Sequence, residues 1–152
     1  MTDLSFRVAE LSLKGYRCSH ILVQIGLDAQ DKNNPDLLRA MSGLSSGMGC
    51  GQACGALTGG CCLIGLYAGG DGGDDHPGLP LMLEEYVDWF RDEYTPRYGG
   101  TDCAQIIERN PQLRGERCPG LILAAVCKAC EILEANGFEL DGRSGSEQVA
   151  RP

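Results

Sequence analysis

No charged residue occurs in residues 41–70, although 22% of the chain is charged. The centre of this segment, residues 50–68, carries cysteine at positions 50, 54, 61 and 62 and glycine at positions 51, 55, 59, 60 and 65. Each glycine costs a helix interior about 1 kcal/mol relative to alanine, so several together indicate close approach to a neighbouring element. We predict a helix over about residues 52–68. The face that we expect other helices to approach consists of small residues: Cys54, Thr58, Cys61, Gly65 and Ala68.

The chain has 152 residues, which is enough for one domain with a sizeable core, and 43% of them are hydrophobic. Its formal net charge is -8. Because binding to nucleic-acid phosphates requires clustered lysine and arginine, this charge argues against a nucleic-acid partner.

The first residues carry charges at regular intervals and lack the basic start and apolar run of a secretory signal peptide. The longest weakly apolar stretch, residues 53–68, is too short and too rich in glycine to span a membrane. From these two features we predict a cytoplasmic protein.

Nine cysteines are several times the usual number for a chain of this length. Since nine is odd, a fully paired disulfide framework within one chain is impossible. In a reducing compartment, spaced cysteines more often bind metal or perform redox chemistry than cross-link the fold.

Apolar residues recur at helical steps of three and four along most of the chain, and no convincing alternation of the β type occurs. The predicted fold is therefore an all-α, single-domain bundle of five to six helices within residues 1–140, followed by a disordered tail at 141–152. The predicted helices cover about residues 4–25, 35–44, 52–68, 80–95, 101–108 and 118–136.

Four cysteines fall on four different predicted helices. Cys54, Cys103 and Cys118 lie at or near predicted helix starts, and Cys18 lies on the inward face of the first helix. The exposed N–H groups and dipole at a helix start stabilise a thiolate and lower the cysteine pKa. This placement favours a nucleophilic or metal-binding role over the alternative, in which buried cysteines act only as small apolar residues.

The order of these cysteines resembles the redox-active protein family named for its motif, C_GCAxxG_C_C. Residues 54–59 read CGALTG and match the CGAxxG segment of that family, while Gly15-Tyr16-Arg17-Cys18 resembles its first cysteine segment. Cys103 and Cys118 follow in the expected order, and the resemblance spans roughly residues 5–135.

A related cysteine-bearing domain occurs in split-Soret cytochromes, where an iron–sulfur cluster has been attributed to it. The resemblance therefore implies a helical architecture, an iron–sulfur cluster as the cofactor and dimerisation. It does not imply c-type haem, because no Cys-x-x-Cys-His occurs in the sequence.

Five further cysteines depart from the four-cysteine pattern. Cys50 and Cys61 could replace one of the four as ligands, since each is spaced to share a site with Cys54, whereas Cys62 points off that face. Cys127 and Cys130 form a Cys-x-x-Cys pair in the middle of a predicted helix, without the preceding strand of a thioredoxin-like site. His20 and His76 are predicted to be surface residues.

Two functions fit this pattern. In the first, Cys18, Cys54, Cys103 and Cys118 bind a [2Fe–2S] or [4Fe–4S] cluster for electron transfer or redox sensing with a protein partner. In the second, a metal-free thiol oxidoreductase or sulfur carrier uses Cys54 as its nucleophile. A structural zinc site is disfavoured because the cysteines do not form two tight Cys-x-x-Cys pairs. The small-residue face can pack within one chain or across a homodimer.

Overall fold

The structure, a computed structural model, describes residues 2–140, so the predicted tail at 141–152 lies outside the described residues. Over the described range the fold is all-α, as predicted, and has seven α-helices where five to six were expected. An isolated antiparallel bridge between Ala53 and Asp102 is present. The α-helices are α1 (Thr2–Leu13), α2 (Cys18–Ala29), α3 (Pro35–Met41), α4 (Gly55–Ala68), α5 (Leu79–Tyr98), α6 (Cys103–Ile106) and α7 (Gln112–Ala135).

The predicted first helix over residues 4–25 is two helices, and this prediction was wrong. Gly15 has a φ of 93°, in the left-handed region that ends helices, and the Tyr16 N–H donates to the Leu11 carbonyl at 3.0 Å to close the end of α1. An ion pair joins the two helices, with Arg7 Nε at 2.7 Å from Asp28 Oδ2. Cys18 consequently begins α2 and does not lie in the middle of a longer helix.

Helix α4 is the centre of the bundle and packs against α2, α5 and α7. Its glycines allow these contacts. A Cβ atom added to Gly59 would lie 3.0 Å from the Ser19 Cα of α2, and one added to Gly60 would lie 2.0 Å from the Tyr86 hydroxyl of α5. The predicted close approach is therefore present, but it uses Gly55, Gly59 and Gly60, whereas a Cβ on Gly65 would meet nothing within 4 Å.

Helix α5 supplies the aromatic part of the core. Met82, Tyr86, Phe90 and Tyr94 recur at steps of four and are all buried. The Tyr86 hydroxyl donates a hydrogen bond to the Ala56 carbonyl at 2.7 Å, which satisfies its polar end inside the core. The helix continues through Pro96, where we expected it to end, and stops at Tyr98 before a glycine in the left-handed conformation.

Helix α7 starts earlier than the sequence suggested. It begins at Gln112, and Pro119 lies inside it instead of in its first turn. Ile122, Ala125 and Ala129, which recur at helical steps of three and four, are buried. No helix in the described part of the chain has the length and apolar character needed to cross a membrane.

Candidate thiol site

Cys18 is the first residue of α2 and lies directly against the start of α4. A Cβ atom added to Gly55 would be only 2.3 Å from the Cys18 sulfur, so the absence of a side chain at Gly55 makes room for this thiol. The backbone of Gly55 follows Cys54, which is the N-cap residue of α4. The α2–α4 contact therefore brings the first two cysteines of the motif to neighbouring positions.

Backbone hydrogen bonds join the segment that carries Cys54 to the segment that carries Cys103. The Cys54 N–H donates to the Thr101 carbonyl at 3.1 Å, and the Cys103 N–H donates to the Gln52 carbonyl at 2.6 Å. These two hydrogen bonds tie the segment before α4 to the segment before α6. Both cysteines are buried, with relative residue exposures of 7% for Cys54 and 9% for Cys103.

Cys118 reaches the same region from within α7. It was predicted to open this helix, and that prediction was wrong because α7 begins at Gln112. Cys118 does not lie at a helix start, whereas Cys18, which was predicted to lie inside a helix, does. Three of the four cysteines therefore lie at helix starts, as expected in number but not in identity: Cys18, Cys54 and Cys103.

The four thiols form one electrostatically coupled group. A charge on Cys18 raises the pKa of Cys54, of Cys103 and of Cys118. Cys118 also acts on Cys54, and Cys103 acts on Cys118. Because this coupling requires proximity, the fold brings together all four cysteines that the sequence analysis singled out.

Burial dominates the acidity of these thiols. Desolvation raises the pKa of Cys54 from 9.0 to about 12, although the N–H groups of Ala56 and Leu57 lower it in part. Burial likewise raises the pKa of Cys118 to about 11 and shifts that of Cys103 upward. The predicted lowering of the thiol pKa at helix starts is thus outweighed by the cost of placing a thiolate in the core.

Arg114 was not identified from the sequence, and it is the cation of the site. Its guanidinium lies close to the Cys103 sulfur, and both its charge and its hydrogen bonding lower the pKa of that thiol against the larger effect of burial. Its charge has the same effect on Cys118, which lies one turn further along α7. Arg114 precedes Cys118 by four residues, so a helix predicted to start before Arg114 would have placed the two side chains on one face.

A strained loop, residues 46–51, lies beside the thiols. Ser46 and Met48 have φ values of 56° and 60°, which for residues with a Cβ cost on the order of 1 kcal/mol each. Gly47 is required, because a Cβ there would lie 2.4 Å from the backbone of Gln52. The Ser46 hydroxyl accepts a hydrogen bond from Arg114 Nη1 at 3.2 Å, so the loop and the site share one arginine.

A family model described as "Putative redox-active protein (C_GCAxxG_C_C)" matches residues 16–132, well over half of the chain. The chain belongs to this family. The matched span contains the four coupled cysteines together with Arg114 and the 46–51 loop. No curated protein and no solved structure matches the chain.

The cysteines outside the C_GCAxxG_C_C set have other surroundings. Cys50 is exposed, and its thiol donates to the Gly47 carbonyl at 3.4 Å. Cys61 is coupled to Cys62 and to Tyr86, and Cys62 packs beside the second core cluster of Val23, Leu27 and Met41. The role of Cys50 and Cys61 as substitute ligands stays a prediction.

The Cys-x-x-Cys pair lies on α7, away from the coupled group. Cys127 and Cys130 are both partly buried, and the charge of one raises the pKa of the other. Burial is the largest cause of the rise in the pKa of Cys130 to about 12.

The two histidines, which were predicted to be surface residues, are half-buried. His20 Nδ1 accepts from the Arg17 N–H at 3.3 Å and helps to cap α2. His76 packs against Phe138, with ring centroids 5.4 Å apart.

Within residues 2–140, no group of three or more His, Cys, Asp or Glu side chains stands in the arrangement that holds a metal ion. All nine cysteines are free thiols.

Proposed function

We propose that this redox-active protein binds an iron–sulfur cluster through Cys18, Cys54, Cys103 and Cys118 and serves in electron transfer or redox sensing. The observation that supports the proposal is the convergence of three helix starts: Cys18 lies against the start of α4, and backbone hydrogen bonds join the segments that carry Cys54 and Cys103. Cys118 of α7 is close enough to these thiols for their charges to influence one another's pKa. Thiolates are the usual protein ligands of [2Fe–2S] and [4Fe–4S] clusters, and four of them complete either type. Such a cluster would supply the one-electron step.

Burial supports a ligand role for these thiols over a role as free nucleophiles. A cysteine whose pKa is raised to about 12, as at Cys54, is almost fully protonated near neutral pH and attacks slowly. A metal centre removes the proton from a coordinating thiol outright, so burial does not prevent ligation. The alternative function, with Cys54 as the nucleophile of a thiol oxidoreductase, has to overcome this protonation.

The surroundings of the thiols suit a negatively charged group. Arg114 offers a positive charge to Cys103 and Cys118, and the N–H groups of Ala56 and Leu57 face the Cys54 sulfur. Hydrogen bonds and positive charges near cluster sulfurs raise the reduction potential. Cys54 and Cys103 belong to the main apolar core, and Cys18 and Cys118 pack against it, which limits access of water to the site.

Anaerobic purification followed by reconstitution with iron and sulfide tests the proposal. We expect a brown protein with stoichiometric iron and acid-labile sulfide, and electron paramagnetic resonance after reduction would identify the cluster type. Cys54→Ser should abolish or strongly reduce iron retention, whereas Cys62→Ser is the matched control and should retain it. A colourless wild-type protein without iron or sulfide after reconstitution would exclude this function.

A further inference from the structure

Arg114 contacts two features that lie far apart in the sequence. Arg114 Nη1 donates to Ser46 Oγ at 3.2 Å, across 68 residues of chain, and Arg114 lies one turn before Cys118 on α7. Its positive charge also lowers the pKa of Cys103. An arginine can do this because its planar fork carries several donors in a fixed geometry, which a lysine lacks.

The 46–51 loop needs external support. Ser46 and Met48 both adopt left-handed conformations, and Met48 is 45% exposed, so little packing compensates for the unfavourable backbone. Strained conformations persist only where surrounding contacts hold them. The contact from Arg114 to Ser46 is one such support, and a hydrogen bond from Arg17 Nη1 to the neighbouring Ser45 Oγ at 3.3 Å is another.

The loop is also connected to the backbone of the thiol site. The Gln52 N–H donates to the Gly47 carbonyl at 3.1 Å, and the Gln52 carbonyl accepts from the Cys103 N–H at 2.6 Å. A Cβ on Gly51 would lie 3.0 Å from the Ala104 Cβ of α6, so the loop rests directly on the helix that carries Cys103. Displacing the loop would therefore disturb the position of Cys103.

We propose that Arg114 is the positioning residue of the thiol site: it holds the 46–51 loop in place beside the cysteines and sets a fixed positive charge next to Cys103 and Cys118. This inference rests on the proposed function, because a positive charge beside these thiols would stabilise the negatively charged cluster that they are proposed to bind. Its test uses the protein without added iron, so the two can fail separately.

The first measurement is hydrogen–deuterium exchange of the amides in residues 47–52 at one fixed pH. Arg114→Met and Ser46→Ala should each speed this exchange about 10-fold, since a hydrogen bond to a charged group is lost. Arg114→Lys should also speed it, because lysine lacks the fork. Arg91→Met, at an exposed arginine on α5, is the matched control and should leave it unchanged.

The second measurement reads the charge alone. Cys103 is alkylated with anionic iodoacetate and, separately, with neutral iodoacetamide, and the ratio of the two rates cancels differences in thiolate population and access. Arg114→Met should lower this ratio about 5-fold. Arg114→Lys and Ser46→Ala should leave the ratio of the two rates unchanged, because both variants retain the positive charge at position 114.

The two measurements thus separate the two roles of Arg114. Unchanged loop exchange in both Arg114→Met and Ser46→Ala would overturn the tethering role, and an unchanged rate ratio in Arg114→Met would overturn the charge role. If Arg114→Met fails to fold by circular dichroism, Ser46→Ala decides the tether and Arg114→Gln, which keeps a polar side chain without the charge, decides the ratio.

Discussion

At Cys54, two effects act on one thiol in opposite directions. The N–H groups of Ala56 and Leu57 at the start of α4 favour the thiolate, while burial among apolar side chains favours the thiol. Burial is the larger effect and leaves the pKa at about 12. A helix start therefore does not by itself make a reactive cysteine, since two N–H groups stabilise a buried thiolate by less than its desolvation costs.

The difference in exposure between Cys50 and Cys54 predicts the order in which they are alkylated. With limiting iodoacetamide at pH 7.5, the exposed Cys50 should react at least about 100-fold faster than Cys54, because only the thiolate attacks and the Cys54 thiol is buried and protonated. Peptide mass spectrometry over time gives both rates.

The control for this experiment is the same labelling in concentrated guanidinium chloride, where the two cysteines should react at similar rates. Rapid labelling of Cys54 in the native protein would contradict the expectation. It would favour the alternative function, in which Cys54 is a nucleophile in metal-free thiol chemistry.

At the scale of the helices, the contact between α2 and α4 decides where the thiols meet. In Gly55→Ala, the new methyl group would lie 2.3 Å from the Cys18 sulfur, so one helix has to shift. We expect a loss of about 1–3 kcal/mol in the free energy of unfolding. Urea denaturation measures this, and iron retention after reconstitution should fall in parallel.

Gly65→Ala is the matched control on the same helix. A Cβ at Gly65 meets nothing within 4 Å, so alanine should stabilise the protein by up to about 1 kcal/mol through its better helix propensity. Equal effects of the two substitutions would show that the close approach at Gly55 is not what limits stability.

The helices themselves were largely predictable, while their ends were not. The apolar steps of three and four identified the buried faces of α5 and α7 because these faces contact the core over several turns. The same pattern of apolar steps continues through Gly15, since Leu11 and Cys18 keep the same helical register on either side of the break. A left-handed glycine leaves no mark in an apolar pattern, so two helices were taken for one.

The same limit affected the site. The four cysteines were identified from sequence, but Arg114 was not, because the last helix was predicted to start at residue 118 and instead begins at Gln112. The left-handed conformations of the loop at 46–51 were not predicted either. Its strain depends on tertiary contacts such as the one from Arg114 to Ser46, which local sequence does not encode.

Across the whole molecule, the thiols are kept neutral by the fold, and this couples stability to alkaline pH. Burial raises the pKa of Cys54 and of Cys130 from 9.0 to about 12. A group whose pKa is higher in the folded state contributes its full stability below the unfolded pKa, and this contribution is lost as pH rises through the folded value. The affected range therefore starts near pH 9 and extends towards pH 12.

We accordingly expect the urea midpoint of the metal-free, reduced protein to be level from pH 7 to 8 and to fall by pH 10. At pH 10, one unit above 9.0, each of these two buried thiols costs the fold about 1.4 kcal/mol. Cys54→Ala removes one of them, so its midpoint should fall less steeply over the same range, whatever its stability at pH 7. A wild-type midpoint that stays constant up to pH 10 would mean that the thiols ionise in the folded protein as readily as in the unfolded chain, and the argument for ligands buried as neutral thiols would fail with it.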